Sequence, residues 1–430
     1  MSQFLFALFI IFAAGFFVLF IRGPYKFSPL WLMLSAWGMG LGIPQLNLSD
    51  IERPWTGEYW FLITISLISF VVGFFVFNKL ADKYPFWNKF RFFASSQMSV
   101  RNLRVVIYSL FFISCLALYM FYVRAGNLPL LAEDTDVFRF VADEQVPGLI
   151  NYTAQFSRLF IPLAFFLILY QGFNWRKHAD LVVLILLGSV ALTLFASRTQ
   201  IFFVDLWIMA MYLLMRKPTL KQAIKFYPVF LLISIIVLAA VPLYRQYKSY
   251  GTTDYLAGVT AIDSTNYNPL GKALLPIYVG VSFNQQALLH AHEYYETHPT
   301  QKGLVTLDPF TNIVGLDQLK SEYDLGAIFK SWWNTGTYLF PFVQDFGNWA
   351  FYWVPFVISG LLTLLWRYWR AVQNYLSINL YSYAMFFIVM TIYLSFTVRA
   401  EMYLDIFVLL ASYVFISSPL FSKQVDNNKV

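Results

Sequence analysis

Four arginines stand where long apolar runs end or begin: Arg158 in Ser-Arg158-Leu-Phe-Ile, Arg198 in Ala-Ser-Arg198-Thr-Gln, Arg245 in Pro-Leu-Tyr-Arg245, and Arg399 in Thr-Val-Arg399-Ala-Glu401. A guanidinium is a planar fork of donors that matches the oxygens of phosphate. At the edge of a bilayer it is costly unless something anionic meets it. Several converging arginines suit a diphosphate better than a single phosphate, because the charge to be met is larger. For Arg198 alone the plainer alternative is a helix cap or a side chain snorkelling to headgroups. Its recurrence at Arg245 and Arg399, with Arg158 and Arg124 behind them, favours a shared anion site. Groups able to take a proton lie in the same regions: His290, His292, Asp345 and Glu401.

These residues need elements to hold them, and composition says which. The chain has 430 residues, of which 59% are hydrophobic, 20% aromatic and only 12% charged. A soluble domain carries about twice that charge. Eleven runs approach the length a hydrocarbon core demands: 3–21, 29–46, 59–78, 105–123, 157–172, 180–197, 200–215, 227–244, 348–366, 378–397 and 402–420. The expectation is an all-α polytopic integral membrane protein of about 11 transmembrane helices. A β-barrel would show short alternating segments instead. The first run lacks a basic start and is followed by Arg22 and Lys26, so it reads as a retained span. Cys115, the only cysteine, falls inside the fourth run, which leaves no disulfide within one chain.

Charge sets the expected sidedness. The loops after spans one, three, five, seven and nine, with the C-terminal tail, hold 18 of the 30 Lys and Arg. Among acids they hold only Asp82, Asp180 and Asp426. By the positive-inside tendency these loops are cytoplasmic, the N-terminus lies outside and the C-terminus inside. The basic loops meeting anionic lipid account for the positive net charge, and nucleic acid is not an expected partner.

The chain then divides into spans one to eight (1–245), a large outer loop subdomain (246–347), spans nine to eleven (348–420) and a cytoplasmic tail (421–430). The outer loop is rich in Tyr, Trp, Leu and Phe, so a mostly helical unit packed over the membrane helices is expected rather than disorder. A second outer segment, 124–156, carries an acidic stretch from Glu133 to Glu144 that lacks the glycine and closing glutamate of a calcium loop. It reads as a solvated face.

Within the outer loop, Leu-His290-Ala-His292-Glu293-Tyr-Tyr-Glu296-Thr-His298 approaches a zinc-protease pattern and misses it, since Glu296 stands where the second histidine belongs. No metal is expected there. A solvated helix face is the plainer reading, and one histidine acting as a proton acceptor the sharper one. Further on, Trp332, Trp333, Asn334 and Tyr338 precede span nine. They suit an interfacial aromatic belt or a platform on which sugar rings stack.

The Ser-Arg198-Thr turn, the large outer loop and the segment Asn334-Thr-Gly-Thr337…Asp345-Phe346-Gly347 leading into a late span resemble the Wzy-type oligosaccharide repeat unit polymerases of O-antigen and capsule synthesis. The resemblance is one of layout over most of the chain, carried by short motifs, and it departs where Ala350 replaces a usual second glycine. It implies a GT-C-like polymerase architecture in the bacterial cytoplasmic (inner) membrane. It further implies an undecaprenyl-diphosphate-linked oligosaccharide as substrate and a chain-length regulator protein as partner. Outer-face arginines of the family carry over to Arg198, Arg245 and Arg399.

The chemistry agrees with that expectation. Breaking a glycosidic bond to a lipid diphosphate builds charge on the leaving oxygen, and arginines aimed there stabilise the transition state. Arginine supplies what a metal would, so no cofactor is expected. Which of His290, His292, Asp345 and Glu401 is the base stays open. Two other readings share these features: a ligase that moves finished glycan to another acceptor, and a transporter or flippase, which would place charges such as Asp205 and Asp405 at membrane depth. An outer-face acyl- or phosphotransferase would need similar arginines.

Overall fold

The computed structural model describes residues 2–84, 98–265, 267–311, 316, 319, 328–330, 333 and 335–417. Among them the backbone is helix and connecting turn. The one extended pairing is an isolated antiparallel bridge between Ser49 and Ile262. Among the described residues, eight helices are long and apolar enough to cross a membrane: Gln3–Arg22, Gly57–Lys83, Val100–Ala125, Gly148–Gln171, Trp175–Leu194, Thr199–Arg216, Phe340–Val372 and Ala400–Ser417. The chain is therefore an all-α, membrane-embedded protein.

Helix-to-helix contact is closest where side chains vanish. The Gly57–Lys83 and Ala350–Val372 helices pack extensively along each other. A Cβ on Gly73 would sit 2.6 Å from the Phe356 carbonyl oxygen, and one on Gly360 2.6 Å from the Phe77 ring. In lipid, where apolar surface alone does not drive association, such close backbone approach is the main source of packing energy.

Basic termini gather at one end of the bundle. There Arg367 pairs with Asp82, Arg104 reaches Asp180 at 2.5 Å, and Lys217 Nζ donates to Gln373 at 2.9 Å. These bonds join loops that charge counting assigns to a single side. At the opposite end Leu130 N donates to Leu194 O and Asp50 N to Ala261 O.

Three expected elements differ from their runs. The second run holds helix only over Pro29–Gly42 before tightening to a 3-10 turn, Ile43–Leu46, where Pro44 enters. The eighth extends over Leu220–Tyr250, capped by Thr219 and closed at Gly251 (φ 69°), so Arg245 lies within a helix and not at its end. The tenth stops at Met390, and residues 391–399 are irregular. That stretch is braced by Trp37 Nε1 on Thr391 Oγ1 (3.0 Å), Tyr338 N on Thr391 O (2.9 Å) and Asn284 Nδ2 on Tyr393 O (2.7 Å). Irregular backbone inside a membrane protein persists where such partners or a cavity satisfy it.

The outer loop packs onto the spans. Its helix Pro269–Thr297 buries Ser282, Asn284, Gln285, Leu288 and Ala291 and joins the same core as the spans. Glu52 fixes one flank of this helix, accepting from Tyr278 Oη at 2.5 Å, from the Ser282 hydroxyl and from Ser49 N at 3.3 Å. Burial raises its carboxyl from the ordinary 4.5 to about 7, against the opposing pull of those hydrogen bonds.

Candidate functional site

The Trp175–Leu194 and Arg198–Arg216 helices are joined by three residues, and Ala196 turns the chain with φ 51°. A left-handed alanine is a costly conformation held by its surroundings. Phe195 and Ser197 beside it line a cavity of about 390 Å³, as does Gln200. Across that cavity stand Asn151, Gln155 and Arg158 from one wall, and Arg399 with Glu401 from the other. The polar walls come from three segments far apart in sequence.

Arg158 is the deepest of them and is fully buried. Its Nε lies 3.1 and 3.0 Å from the two oxygens of Asp405, and its Nη2 3.0 Å from Oδ1. Tyr383 Oη donates to the same carboxylate at 2.9 Å. Asp405 thus fixes one edge of the guanidinium fork. The remaining terminal nitrogen, Nη1, is buried without a hydrogen-bond partner among the described residues. An orphaned donor on a buried cation is costly, and an anion or water entering the cavity would satisfy it.

Arg399 sits at the end of the irregular stretch, half exposed, with Nη1 3.4 Å from Glu401 Oε1. It also borders a second, more apolar cavity of about 230 Å³, lined among others by Asp308, Thr335, Gln344 and Ser395. There Gln344 Nε2 is buried without a partner among the described residues. Arg399 therefore stands between a charged chamber and a largely apolar one.

The expected residues meet unequally. Arg158, Arg399 and Glu401 share the first cavity, and Arg198 begins the helix between its lining residues Ser197 and Gln200, although its side chain lies outside the described set. Arg245 is half-buried in its helix and does not line the cavity. Asp345 is buried with both oxygens engaged, accepting from Val305 N at 3.1 Å and Thr306 N at 2.6 Å. It ties down the 300–306 turn, which leaves it ill placed to take a substrate proton.

His290 lies 3.5 Å from Arg53 Nη1, whose two terminal nitrogens bind Glu293 at 2.9 and 3.0 Å. Burial and that neighbouring guanidinium hold the His290 imidazole below its usual value, so it is neutral near pH 7. His292 is buried against Asn348 at 2.9 Å. Neither histidine reaches the first cavity. Tyr338 is a core residue, buried edge-on to Trp37, and Trp333 is turned inward onto Asn284 and Phe283. Tyr338 offers no open face for a sugar. Trp332 and Asn334 lie outside the described residues.

Gly347 carries φ 59° and ψ −151°, a region open to glycine alone, whereas Ala350 is ordinary helix with φ −57°. The absent second glycine is therefore no obstacle to this turn. Sequence reasoning missed Asp405 and Tyr383 as the clamp on Arg158. Asp405 falls one helical turn after Glu401, a spacing that places both on one face.

The chain matches no family model, no curated protein and no solved structure.

Proposed function

We propose that this protein is a membrane glycosyltransferase that polymerises undecaprenyl-diphosphate-linked oligosaccharide repeat units on the outer face of the bacterial cytoplasmic membrane. The supporting observation is the polar cavity on which a buried arginine with an unsatisfied nitrogen, Arg158, and a half-exposed one, Arg399, both open. In this reading eleven spans place the N-terminus outside and the tail inside, so the cavity faces outward.

The diphosphate lies in the charged chamber, its oxygens meeting Arg158 Nη1, Arg399 and the helix start at Arg198. An acceptor hydroxyl attacks the anomeric carbon, the bond from that carbon to the phosphate oxygen breaks, and the diphosphate leaves with the bonding electrons. The hydroxyl proton passes to a base. Of the four expected candidates only Glu401 lines this chamber, which makes it the preferred base. The arginines act where negative charge grows.

A transporter is the second reading, favoured by the Arg158–Asp405 pair buried within the bundle. One experiment separates them. Purified protein is mixed with undecaprenyl-diphosphate-linked repeat units, with and without EDTA and with no nucleotide sugar, and glycan length is followed on a gel. A ladder that grows with time supports the polymerase. With the native repeat unit confirmed, its absence in both conditions rejects polymerisation and directs attention to transfer onto another acceptor or to transport.

A further inference from the structure

On the outer helix, one face holds a group the proposed reaction does not use. His292 is buried and Glu296 follows it one turn later, while Glu58 projects from the first turn of the Gly57–Lys83 helix. One ligand atom from each of Glu58, His292 and Glu296 lies within 4.8 Å of the others. His292 Nδ1 is 3.5 Å from Glu296 Oε1 and 2.9 Å from the amide oxygen of Asn348, which belongs to the 3-10 turn Gly347–Trp349. Asn348 Nδ2 also donates to Glu296 Oε1 at 3.3 Å.

The charges on this face do not balance. Arg53, the nearest guanidinium along the helix face, is spent on Glu293. Among the described residues neither Glu58 nor Glu296 is paired with a lysine or arginine. Two carboxylates crowded together repel, and a cation between them reverses that term. Around a tetrahedral ion with bonds of about 2.0–2.1 Å, ligand atoms stand roughly 3.3 Å apart. The 2.9 and 3.5 Å separations are close to that, and Glu58, exposed and free to change rotamer, needs to close by at most about 1.5 Å.

We propose that Glu58, His292 and Glu296, with the Asn348 amide oxygen as fourth donor, bind a divalent transition-metal ion of the zinc class. One imidazole nitrogen among oxygens selects such an ion over magnesium or calcium, which prefer all-oxygen shells. The ion joins three elements: the start of one span, the outer helix and the turn that leads into a late span. Its role is to clamp the outer helix to the bundle, and it rests on no assumption about the reaction.

The test uses full-length protein in detergent, freed of any histidine tag and stripped with EDTA. Zn²⁺, Mn²⁺ and Mg²⁺ are titrated separately against it by competition with a chromophoric chelator. One equivalent of Zn²⁺ is expected to bind, with Mg²⁺ failing to compete and the melting temperature rising on binding. Glu58→Gln with Glu296→Gln, both at exposed positions, should weaken zinc binding at least tenfold. His290→Ala with His298→Ala should leave it unchanged. Failure of the wild type to take up one equivalent, or equal uptake by the Glu58→Gln/Glu296→Gln variant, overturns the proposal. His292→Ala is informative only alongside this exposed pair, since a buried substitution also disturbs packing.

Discussion

A guanidinium enclosed among helices is tolerated only when its donors are met, and Arg158 is met on one edge and open on the other. That half-satisfied state separates two roles by mutation. Arg158→Ala leaves Asp405 buried without its cation and should cost roughly 3–5 kcal/mol of stability, read as a large fall in melting temperature. Arg158→Met combined with Asp405→Leu removes both charges and should recover most of that loss. If the pair were purely structural, the double variant would also polymerise normally; the diphosphate reading expects none. Arg399 has no such structural burden, being half exposed. Arg399→Ala should reduce turnover about 10²–10³-fold, the usual effect of removing one oxyanion donor, with melting unchanged. Arg399→Lys should restore little, because a point charge replaces a two-pronged fork.

At the scale of elements, the segment 49–56 is pinned to the outer helix through Glu52. Its carboxyl is raised from 4.5 to about 7, so the folded protein holds this proton to higher pH than the unfolded chain. Stability from this group is then complete below about 4.5 and falls as pH rises to about 7, by roughly 3 kcal/mol at most. Glu52→Gln keeps the shape and cannot ionise. Melting temperatures followed from pH 4.5 to 8 should decline more steeply in wild type than in the variant; parallel slopes would show that Glu52 does not carry the effect. The irregular 391–399 stretch is the other decisive element. A helix continued to residue 397 would swing Arg399 round the helix axis, whereas the braced turn sets it between the two cavities.

For the molecule as a whole, sidedness is the testable property. The loops bonded together through Arg367–Asp82, Arg104–Asp180 and Lys217–Gln373 form one end of the bundle. With Cys115 replaced by serine, a cysteine at Lys221 should react with a membrane-impermeant maleimide only after cells are opened. One at Glu133 should react in intact cells. The reverse pattern would turn the cavity toward the cytoplasm and remove the basis for an outer-face polymerase.

From sequence alone, the apolar runs and basic loops were enough to establish helices crossing a membrane, because each run's burial in lipid is decided locally by its own composition. A short turn between those two spans was equally legible, although the sequence placed Arg198 within it and the structure places Arg198 at the start of the following helix. Arg158, Arg399 and Glu401 were marked as chemistry-bearing by type and position. Their grouping, the exclusion of Arg245 and the diversion of Asp345 to backbone amides were decided by the tertiary structure. So were the Asp405 and Tyr383 clamp and the joining of Glu58 to His292 across more than two hundred residues. Those outcomes depend on how helices rotate and approach one another. Rotation is set by side-chain packing around the whole bundle, and no single helix's periodicity encodes it.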